Sequence, residues 1–328
     1  NGTTNAITNA GSFQPDLVWV KDRSAAYYHG LYDVIRGTGT GAGLSSNTTQ
    51  VEGANSTNQN LTAFNSNGFT LGATSSTNAL NFNGDSFVAW QWKAGGTGVS
   101  NTSGTITSTV RANTTAGFSV VTYTGTGTAN QTVGHGLGSV PAMIIVKSRT
   151  VSSTNWPVYH QSLGKDTYIQ LNTTGASGSY ANYWGTSNPT STVFGIGPTS
   201  NDNNTGNCVA YCFAEITGFS KFGSYTGNGS ADGTFVYCGF RPRYIMIKRT
   251  DAGGDNWFVY DTARNTYNVA DLRLYPNTSG AEASGINAFD LVSNGAKLRT
   301  SDTSFNASGG TYIFAAFAES PFNYSRAR

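Results

Sequence analysis

Residues 141–149 have the sequence PAMIIVKSR, and two similar stretches occur elsewhere in the chain, PDLVWVKDR (15–23) and PRYIMIKR (242–249). Each stretch places a short apolar run between a proline and a lysine. Short runs of β-branched and aromatic residues, bounded by turn-forming residues, are typical of β-strands. Because the stretch returns three times, the sequence indicates an internal repeat.

The segments that follow this strand recur as well. A second shared segment is HGLYDVIR (29–36), NWPVYH (155–160) and NWFVYDTAR (256–264). Each copy closes on an apolar segment, namely SFVAWQWKA (86–94), NCVAYCFAE (207–215) and TYIFAAFAE (311–319). The second and third copies also share a lead-in, which is GFSVVTYTGTG (117–127) in one and GFSKFGSYTGNG (218–229) in the other.

The order of these segments defines the domain organisation and the fold class. Strand-like runs at intervals of about 8–15 residues, with turn-rich spacers, favour antiparallel sandwiches or jelly rolls. No stretch keeps the periodicity of an amphipathic helix over ten residues. The sequence therefore predicts an all-β chain of three tandem antiparallel β-sandwich modules, jelly-roll or lectin-like, at 1–95, 116–218 and 219–328. Residues 96–115 are rich in Gly, Ser, Thr and Asn and are predicted to be a linker or a lightly paired strand.

Composition excludes several classes of protein. Of 328 residues, 19 are Lys or Arg and 17 are Asp or Glu, so only 11% are charged and the net charge is +2. Aromatic residues make up 12%, too many for a disordered chain. A near-neutral charge argues against nucleic-acid binding, and no apolar stretch approaches the ~18 residues of a membrane span. The sequence starts at Asn1 rather than at a methionine, so we expect further sequence upstream.

The titratable residues do not form a pattern typical of an enzyme or a metal site. The chain has three histidines, and no G-x-S-x-G elbow is present. Glu215 and Glu319 occupy the same position of the repeat, each at the end of an apolar strand, which favours a surface role. Cys208 and Cys212 lie about 13 Å apart along a strand, too far for a disulfide, and a second pair for zinc is lacking. We therefore predict no catalytic residue, no metal and no cofactor.

Two polar features recur along the chain. The Pro-x₅-Lys-x-Arg pattern (Lys21 and Arg23, Lys147 and Arg149, Lys248 and Arg249 one place early) has two interpretations. One is an anion site repeated three times; the favoured one is cations that extend from strand ends into solvent. The Asn-x-Ser/Thr triplets at Asn47, Asn172 and Asn277, among others, are expected by chance in a chain of this composition.

Aromatic residues provide the candidate binding site. Trp156 and Trp257 occupy equivalent positions of the repeat and are predicted to lie in the core. Aromatic rings in polar loops outside the repeat pattern are better candidates, because exposed rings stack on sugars while nearby polar side chains hydrogen-bond. The predicted ligand-binding residues are Tyr27, Tyr28, Tyr180, Tyr183 and Trp184. The alternative is that these rings pack on a neighbouring module or subunit.

Several long strings carry a resemblance to a known family. They are LVWVKDR, GDSFVAWQWKAGG, GFSVVTYTGTG, VGHGLGSVPAMIIVKSR, SKFGSYTGNGSADGTFVYCGFRP and TYIFAAFAESPFNYSRAR. Together these strings resemble a repeat family of tailed bacteriophages that infect aquatic bacteria, whose members are labelled tail-fibre or virion structural proteins. The resemblance covers essentially the whole chain.

The resemblance implies a virion surface protein, in particular a tail-fibre region that attaches to a host-surface glycan or protein by multivalent, non-catalytic binding. The implied partners are the host receptor, other virion proteins and further copies of the chain. Fibres often trimerise, so a homotrimer is implied, although no heptad repeat supports it.

Three other functions remain open at this stage. A capsid or tail decoration protein would bury the loop aromatics at subunit contacts. A fibre or adhesin of a bacterium would share the surface location. A glycan depolymerase would need two carboxylates about 5–10 Å apart in a pocket.

Overall fold

The structure is a computed structural model that describes residues 2–55, 60–74, 80–197 and 205–319. The prediction of an all-β fold is confirmed, and every ladder between the named strands is antiparallel. Within the described ranges the helices are a 3-10 turn at Thr40–Ala42 and one α-helical turn, α1, at Thr303–Asn306. We number the three copies of the repeated sequence repeat 1 (1–95), repeat 2 (96–218) and repeat 3 (219–328).

The described residues of repeat 1 form six strands. They are β1 (Asn5–Thr8), β2 (Leu17–Asp22), β3 (Gly30–Asp33), β4 (Leu61–Asn65), β5 (Gly68–Leu71) and β6 (Phe87–Trp92). One sheet has the order β3-β2-β6 and a smaller one the order β1-β5-β4.

Repeat 2, where the structure describes it, has ten strands. They are β7 (Val99–Asn101), β8 (Ser108–Asn113), β9 (Phe118–Thr124), β10 (Gln131–Gly134), β11 (Pro141–Ser148), β12 (Pro157–His160), β13 (Thr167–Gln170), β14 (Gly178–Ser179), β15 (Val193–Ile196) and β16 (Asn207–Ala214). The large sheet has the order β14-β13-β12-β11-β16-β9-β8-β7, and β10 pairs with β15 in a second sheet.

Between residues 219 and 319, repeat 3 has seven strands. They are β17 (Ser220–Thr226), β18 (Phe235–Tyr237), β19 (Pro242–Arg249), β20 (Trp257–Asp261), β21 (Phe289–Val292), β22 (Gly295–Leu298) and β23 (Thr311–Ala318). The two sheets have the orders β17-β23-β19-β20 and β18-β22-β21.

The segment predicted as a linker belongs to a sheet. Residues 99–101 and 108–113 form β7 and β8, and β8 pairs with β9 from Thr109 to Asn113. The sequence allowed two interpretations of residues 96–115, a linker or a lightly paired strand, and the structure agrees with the strand. The turn-rich composition of this segment did not indicate the two short strands, because the strands with which they pair come later in the chain.

The central strand of each repeat is buried on both faces. In β11, Ile144 and Val146 face an outer core that lies between the large sheet of repeat 2 and the β10–β15 pair. Met143 and Ile145 point to the opposite side, into a second core. Side chains alternate along a strand, so one apolar run supplies both layers.

The second core is common to all three repeats. One cluster of buried side chains contains Leu17 and Trp19 of repeat 1, Met143 and Ile145 of repeat 2, and Tyr244 and Met246 of repeat 3. These residues occupy equivalent positions of the three central strands. The repeats are therefore not separate sandwiches joined by linkers, because each contributes one face to a shared central core.

Hydrogen bonds between repeats close into a ring. At the same position of each repeat, a side-chain nitrogen of Trp or His forms a hydrogen bond with a main-chain carbonyl of the preceding repeat. The three bonds are Trp156 Nε1 to Thr48 (3.0 Å), Trp257 Nε1 to Gln170 (2.9 Å) and His29 Nε2 to Tyr275 (3.0 Å). Main-chain bonds of 2.9 Å follow the same order: Glu52 to Arg149, Ser177 to Thr250 and Glu282 to Arg23. Repeat 1 thus binds repeat 3, and the predicted core residues Trp156 and Trp257 are buried where repeats meet.

Because the central core is shared, we expect the whole chain to unfold in one cooperative transition. Separating any repeat would expose its half of the central core to water. Differential scanning calorimetry should show a single peak whose calorimetric and van't Hoff enthalpies agree. Two or three resolved peaks would show instead that the repeats are stable on their own.

Candidate functional site

Two of the predicted ligand-binding residues are inside the protein. Tyr183 and Trp184 belong to the outer core of repeat 2, and Trp184 is fully buried. The Trp184 ring packs edge-on against Tyr159, and its Nε1 donates to the carbonyl of Thr167 at 3.1 Å. The prediction that these two rings bind a ligand is wrong, because an external ligand cannot reach them. The polar sequence around Tyr183 and Trp184 did not indicate that strands of repeat 2 cover these two rings.

The other three predicted residues lie at the surface. Tyr28 is 39% exposed and Tyr180 is 50% exposed, while Tyr27 is half-buried. Tyr27 and Tyr28 precede β3 in repeat 1, whereas Tyr180 follows β14 in repeat 2. No described contact brings the two places together, so the five residues do not form one site.

Tyr180 stands in a cluster of charged and amide groups, which we call the Tyr180 patch: Tyr180, Lys165, Asp166 and Asn182. The Tyr180 amide donates to the carbonyl of Asp166 at 2.8 Å, and the ring leans on buried Tyr183 with centroids 6.3 Å apart. Lys165 Nζ lies 2.7 Å from Asp166 Oδ1 and 3.2 Å from Asn182 Oδ1. The lysine hydrogen bond lowers the pKa of the exposed Asp166 carboxyl, which therefore stays ionised.

The Tyr180 patch combines an open aromatic ring with a carboxylate, an ammonium and an amide. A tyrosine side chain has only two rotatable angles, and the Tyr180 ring already contacts Tyr183, so little conformational entropy is lost when a ligand stacks on it. The neighbouring donors and acceptors suit the hydroxyls of a sugar. The buried Tyr183, mistaken for a binding residue, thus supports the residue that is exposed.

The repeated lysines do not reach into solvent. Lys21, Lys147 and Lys248 are fully buried. Lys147 Nζ donates to the carbonyls of Thr154 (2.6 Å) and of Thr49 in repeat 1 (3.2 Å). Burial lowers the pKa of each of the three lysines to about 8. The expectation that cations extend from strand ends into solvent is therefore wrong for the three lysines, whose ammonium groups are buried and donate to main-chain carbonyls.

Two of the repeat boundaries contain the same buried ionic cluster. In repeat 1, Arg36 pairs with Asp33 and with Glu52, and Glu52 also binds Arg149 of repeat 2. The equivalent cluster in repeat 3 contains Asp261, Arg264 and Glu282, and the latter binds Arg23 of repeat 1. These carboxylates are committed to arginines, and the clusters join the repeats.

The three Asn-x-Thr/Ser sites named above have a common structural role. The side-chain oxygens of Asn47, Asn172 and Asn277 accept hydrogen bonds from main-chain amides. The donors are the three residues whose side chains bond the preceding repeat, namely His29 (3.2 Å), Trp156 (2.9 Å) and Trp257 (2.9 Å). The expectation that these triplets arise by chance is wrong at these positions. The alignment of Asn47, Asn172 and Asn277 with one another in the three repeats could have indicated this common role.

A groove lies where the three repeats meet beside β6, and we call it the edge groove. Its volume is about 480 Å³. Aromatic side chains of all three repeats line it: Trp90, Trp92, Phe118, Phe219, Tyr244 and Phe317. Gln91, Lys93 and Arg243 add polar groups. Sequence analysis missed this groove, because the residues that line it come from segments far apart in the chain.

Comparison with protein-family models gives one match, which covers residues 1–321 and is described as a domain of unknown function, DUF7483. The chain belongs to the DUF7483 family. No curated protein and no solved structure matches it. The DUF7483 match spans all three repeats of the chain.

Three further observations on the described residues concern cysteines, possible metal ligands and helix length. Cys208, Cys212 and Cys238 are buried, and none of them forms a disulfide within the described ranges. Among the described residues no group of three or more His, Cys, Asp or Glu side chains is placed to hold a metal ion. No helix of the described ranges is long and apolar enough to cross a membrane.

Proposed function

We propose that the chain is a virion surface protein of a tailed bacteriophage, and that it forms part of a tail fibre that attaches to a host-surface glycan without catalysis. The observation that supports this proposal best is the Tyr180 patch, an exposed ring beside Asp166, Lys165 and Asn182. The resemblance of the repeated strings to tail-fibre and virion structural proteins supplies the biological setting. The proposed partners are a host glycan, other virion proteins and further copies of the chain.

The shared core suits this role. Three repeats tied by buried tryptophans, lysines and arginines form a rigid block that keeps a surface patch in a fixed position. A single shallow patch binds a sugar weakly. Several copies on one particle would bind the same cell together, and linked sites gain about 10²–10⁴ in avidity.

We expect Tyr180→Ala to weaken binding to bacterial surface polysaccharide at least tenfold. The change removes the stacking ring but leaves buried Tyr183 and the ion pair of Lys165 with Asp166 in place. The measurement is binding of bead-displayed protein to an array of such polysaccharides and to whole bacteria. A tenfold loss corresponds to about 1.4 kcal/mol, a modest value for a central aromatic contact.

Tyr267→Ala is the matched control, because Tyr267 is 84% exposed in repeat 3 and lies outside the patch. It should bind as the unchanged protein does. Equal binding by the Tyr180 variant and the unchanged protein would contradict the proposed site. Failure of the unchanged protein to bind any surface polysaccharide would contradict attachment to glycans.

A further inference from the structure

Two carboxylates of repeat 1 face each other where β2 ends and β6 begins. Asp22 is the last residue of β2 and is 1% exposed. It pairs with Phe87, the first residue of β6, and Asp85 lies two positions before Phe87. The Asp85 side chain is within hydrogen-bonding distance of the Asp22 carboxyl group. Two acidic groups this close repel each other when both are ionised.

The two carboxylate oxygens of Asp22 are used differently. Oδ1 accepts hydrogen bonds from the main-chain amides of Ser24 (2.7 Å) and Ala25 (2.9 Å), which close the turn after β2. Oδ2 is buried and has no hydrogen-bond partner among the described residues. Because the turn holds Oδ1, Oδ2 is the oxygen left to face Asp85. A buried anionic oxygen without a donor or a cation is costly, so a partner is expected here.

Repeat 2 forms the same turn without a carboxylate. The counterpart of Asp22 is Ser148, the last residue of the central strand β11. The Ser148 hydroxyl accepts a hydrogen bond from the Val151 amide at 3.2 Å, as Asp22 Oδ1 does from the Ala25 amide. One oxygen is therefore enough for the turn, and the turn does not explain the second oxygen of Asp22.

The fold does not require a carboxylate at Asp85 either. The equivalent positions, just before the closing strands, are occupied by Gly206 in repeat 2 and Gly310 in repeat 3. In repeat 1 the Ser86 amide donates to the hydroxyl of Ser24 at 2.9 Å, which holds the segment with Asp85 beside the turn. At this place in the repeat, paired carboxylates thus occur in repeat 1 alone.

The described residues supply no cation to this pair. Lys21 is next in sequence, but its ammonium group donates to the main-chain carbonyls of Asp22 at 2.7 Å and of Ala25 at 3.3 Å. In the part of the chain that the structure describes, no basic side chain forms an ion pair with Asp22 or Asp85. Burial and the Asp85 carboxylate raise the pKa of Asp22 to about 6, so this carboxyl is ionised at pH 7.5. At that pH the pair attracts a cation from solution.

We propose that Asp22 and Asp85 bind one calcium ion, with water completing its coordination. Carboxylate oxygens suit hard cations such as Ca²⁺ and Mg²⁺. The turn fixes the Asp22 carboxylate, so the ligands cannot readjust freely. Ca²⁺ tolerates irregular geometry, whereas Mg²⁺ demands a near-ideal octahedron. Two protein carboxylates make a weak site, and we expect a Kd of about 10⁻⁴–10⁻³ M, the range of extracellular calcium modules.

The ion would join two segments of repeat 1. One is the turn after β2, which leads into Tyr27 and Tyr28, and the other is the segment before β6. Calcium would thereby fix the start of the loop that carries these two rings. The site lies outside the Tyr180 patch, and it does not depend on the proposed attachment to a glycan.

The test is calorimetric titration of the full chain at pH 7.5, after metal has been removed with a chelator and the chelator by dialysis. We expect one Ca²⁺ per chain, and Mg²⁺ should bind at least tenfold more weakly. In nuclear magnetic resonance spectra the amide signals of Ser24 and Ala25, which donate to Asp22, should shift when calcium is added. These shifts would place the ion at the pair.

Two variants remove one carboxylate each. Asp85→Asn keeps the size of the side chain but not its charge, and calcium binding should weaken at least tenfold. Asp22→Ser copies repeat 2, and its hydroxyl can keep the bond to Ala25, so the fold should persist while calcium binding is lost. Asp232→Asn is the matched control, because Asp232 is an exposed carboxylate of repeat 3 that pairs with Lys297. It should bind calcium as the unchanged protein does.

Four results would overturn the proposal. One is the absence of calcium binding at 10 mM, which would mean that the pair takes no cation. Another is unchanged calcium affinity in the Asp85 variant. The third is binding that shifts other amide signals but not those of Ser24 and Ala25. The fourth is equal affinity for Mg²⁺, which would overturn the assignment to calcium.

Discussion

Between pH 6 and pH 4 the free energy of unfolding is expected to fall by about 3 kcal/mol for each pH unit. Three buried histidines cause most of this loss. Burial lowers the pKa of His29 to about 3 and the pKa values of His135 and His160 to about 4. All three stay neutral in the folded chain at pH values where an unfolded histidine is charged.

The hydrogen bonds explain why these histidines resist a second proton. In each ring Nδ1 accepts a hydrogen bond, from Trp19 Nε1 in His29 (2.8 Å), from the Leu137 amide in His135 (3.3 Å) and from the Ser162 amide in His160 (3.2 Å). Each Nε2 lies within hydrogen-bond distance of a main-chain carbonyl. Protonation would turn the Nδ1 acceptor into a donor that faces another donor, at a site that is closed to solvent.

The sign of the effect follows from proton counts. A histidine whose folded pKa lies below its unfolded value of about 6.5 contributes stability above that pH, and the contribution is lost as pH falls towards the folded pKa. Burial raises the pKa of Asp22 to about 6, so below pH 6 the folded chain takes up one proton that the unfolded chain does not. The three histidines and the one aspartate together mean that the unfolded chain binds about two more protons than the folded chain. This difference lowers the free energy of unfolding by about 3 kcal/mol for each pH unit.

Urea unfolding monitored by tryptophan fluorescence, at half-unit intervals from pH 7 to pH 4, measures this slope. His135→Gln should reduce it by about 1.4 kcal/mol per unit, since one titrating group is gone. A free energy of unfolding that stays constant down to pH 4.5 would contradict the prediction.

Arg36→Met is expected to destabilise the protein by about 3–5 kcal/mol. The Arg36 side chain is fully buried, and its guanidinium binds Asp33, the carboxylate of Glu52 at 2.7 Å and the carbonyl of Leu31 at 2.9 Å. Methionine fills the space but leaves the Asp33 carboxylate buried without its cation. A buried charge that loses its partner is one of the most costly changes in a protein interior.

The same change at Arg299 is the control. Arg299 pairs with Asp290 at the surface, and its side chain is 45% exposed. Exposed ion pairs contribute about 0–1 kcal/mol, so Arg299→Met should change stability little. Equal effects of the two variants on urea unfolding would show that the Arg36 cluster is no more important than a surface pair.

Much of the fold could be predicted from the sequence because its signals are local. The apolar runs at 17–21, 143–147 and 244–248 all lie in buried strands, and Trp156 and Trp257 are in the core. Alternation, β-branching and turn residues act within a few positions, so they are visible in the sequence itself. The repeat added a second clue, since a residue kept at one place in several copies usually serves packing.

The candidate site was harder to predict, because exposure depends on what covers a loop. Tyr180, Tyr183 and Trp184 lie within five residues of one another in the same polar segment, yet one is open and two are buried. The burial of Trp184 is decided by strands from elsewhere in repeat 2. The buried lysines illustrate the same point, since their carbonyl partners include residues of the preceding repeat.

The sequence by itself determined that this chain is all-β, where its central and closing strands lie, and that one pattern occurs three times. Only the tertiary structure decided that the three copies share one core and that the ring closes through bonds such as His29 to Tyr275, which are 246 positions apart. It also decided that, in the described ranges, β6 lies at the end of the sheet β3-β2-β6. Local sequence sets strand propensity and facing, whereas ring closure and edge pairing depend on contacts between distant segments, whose geometry exists only after folding.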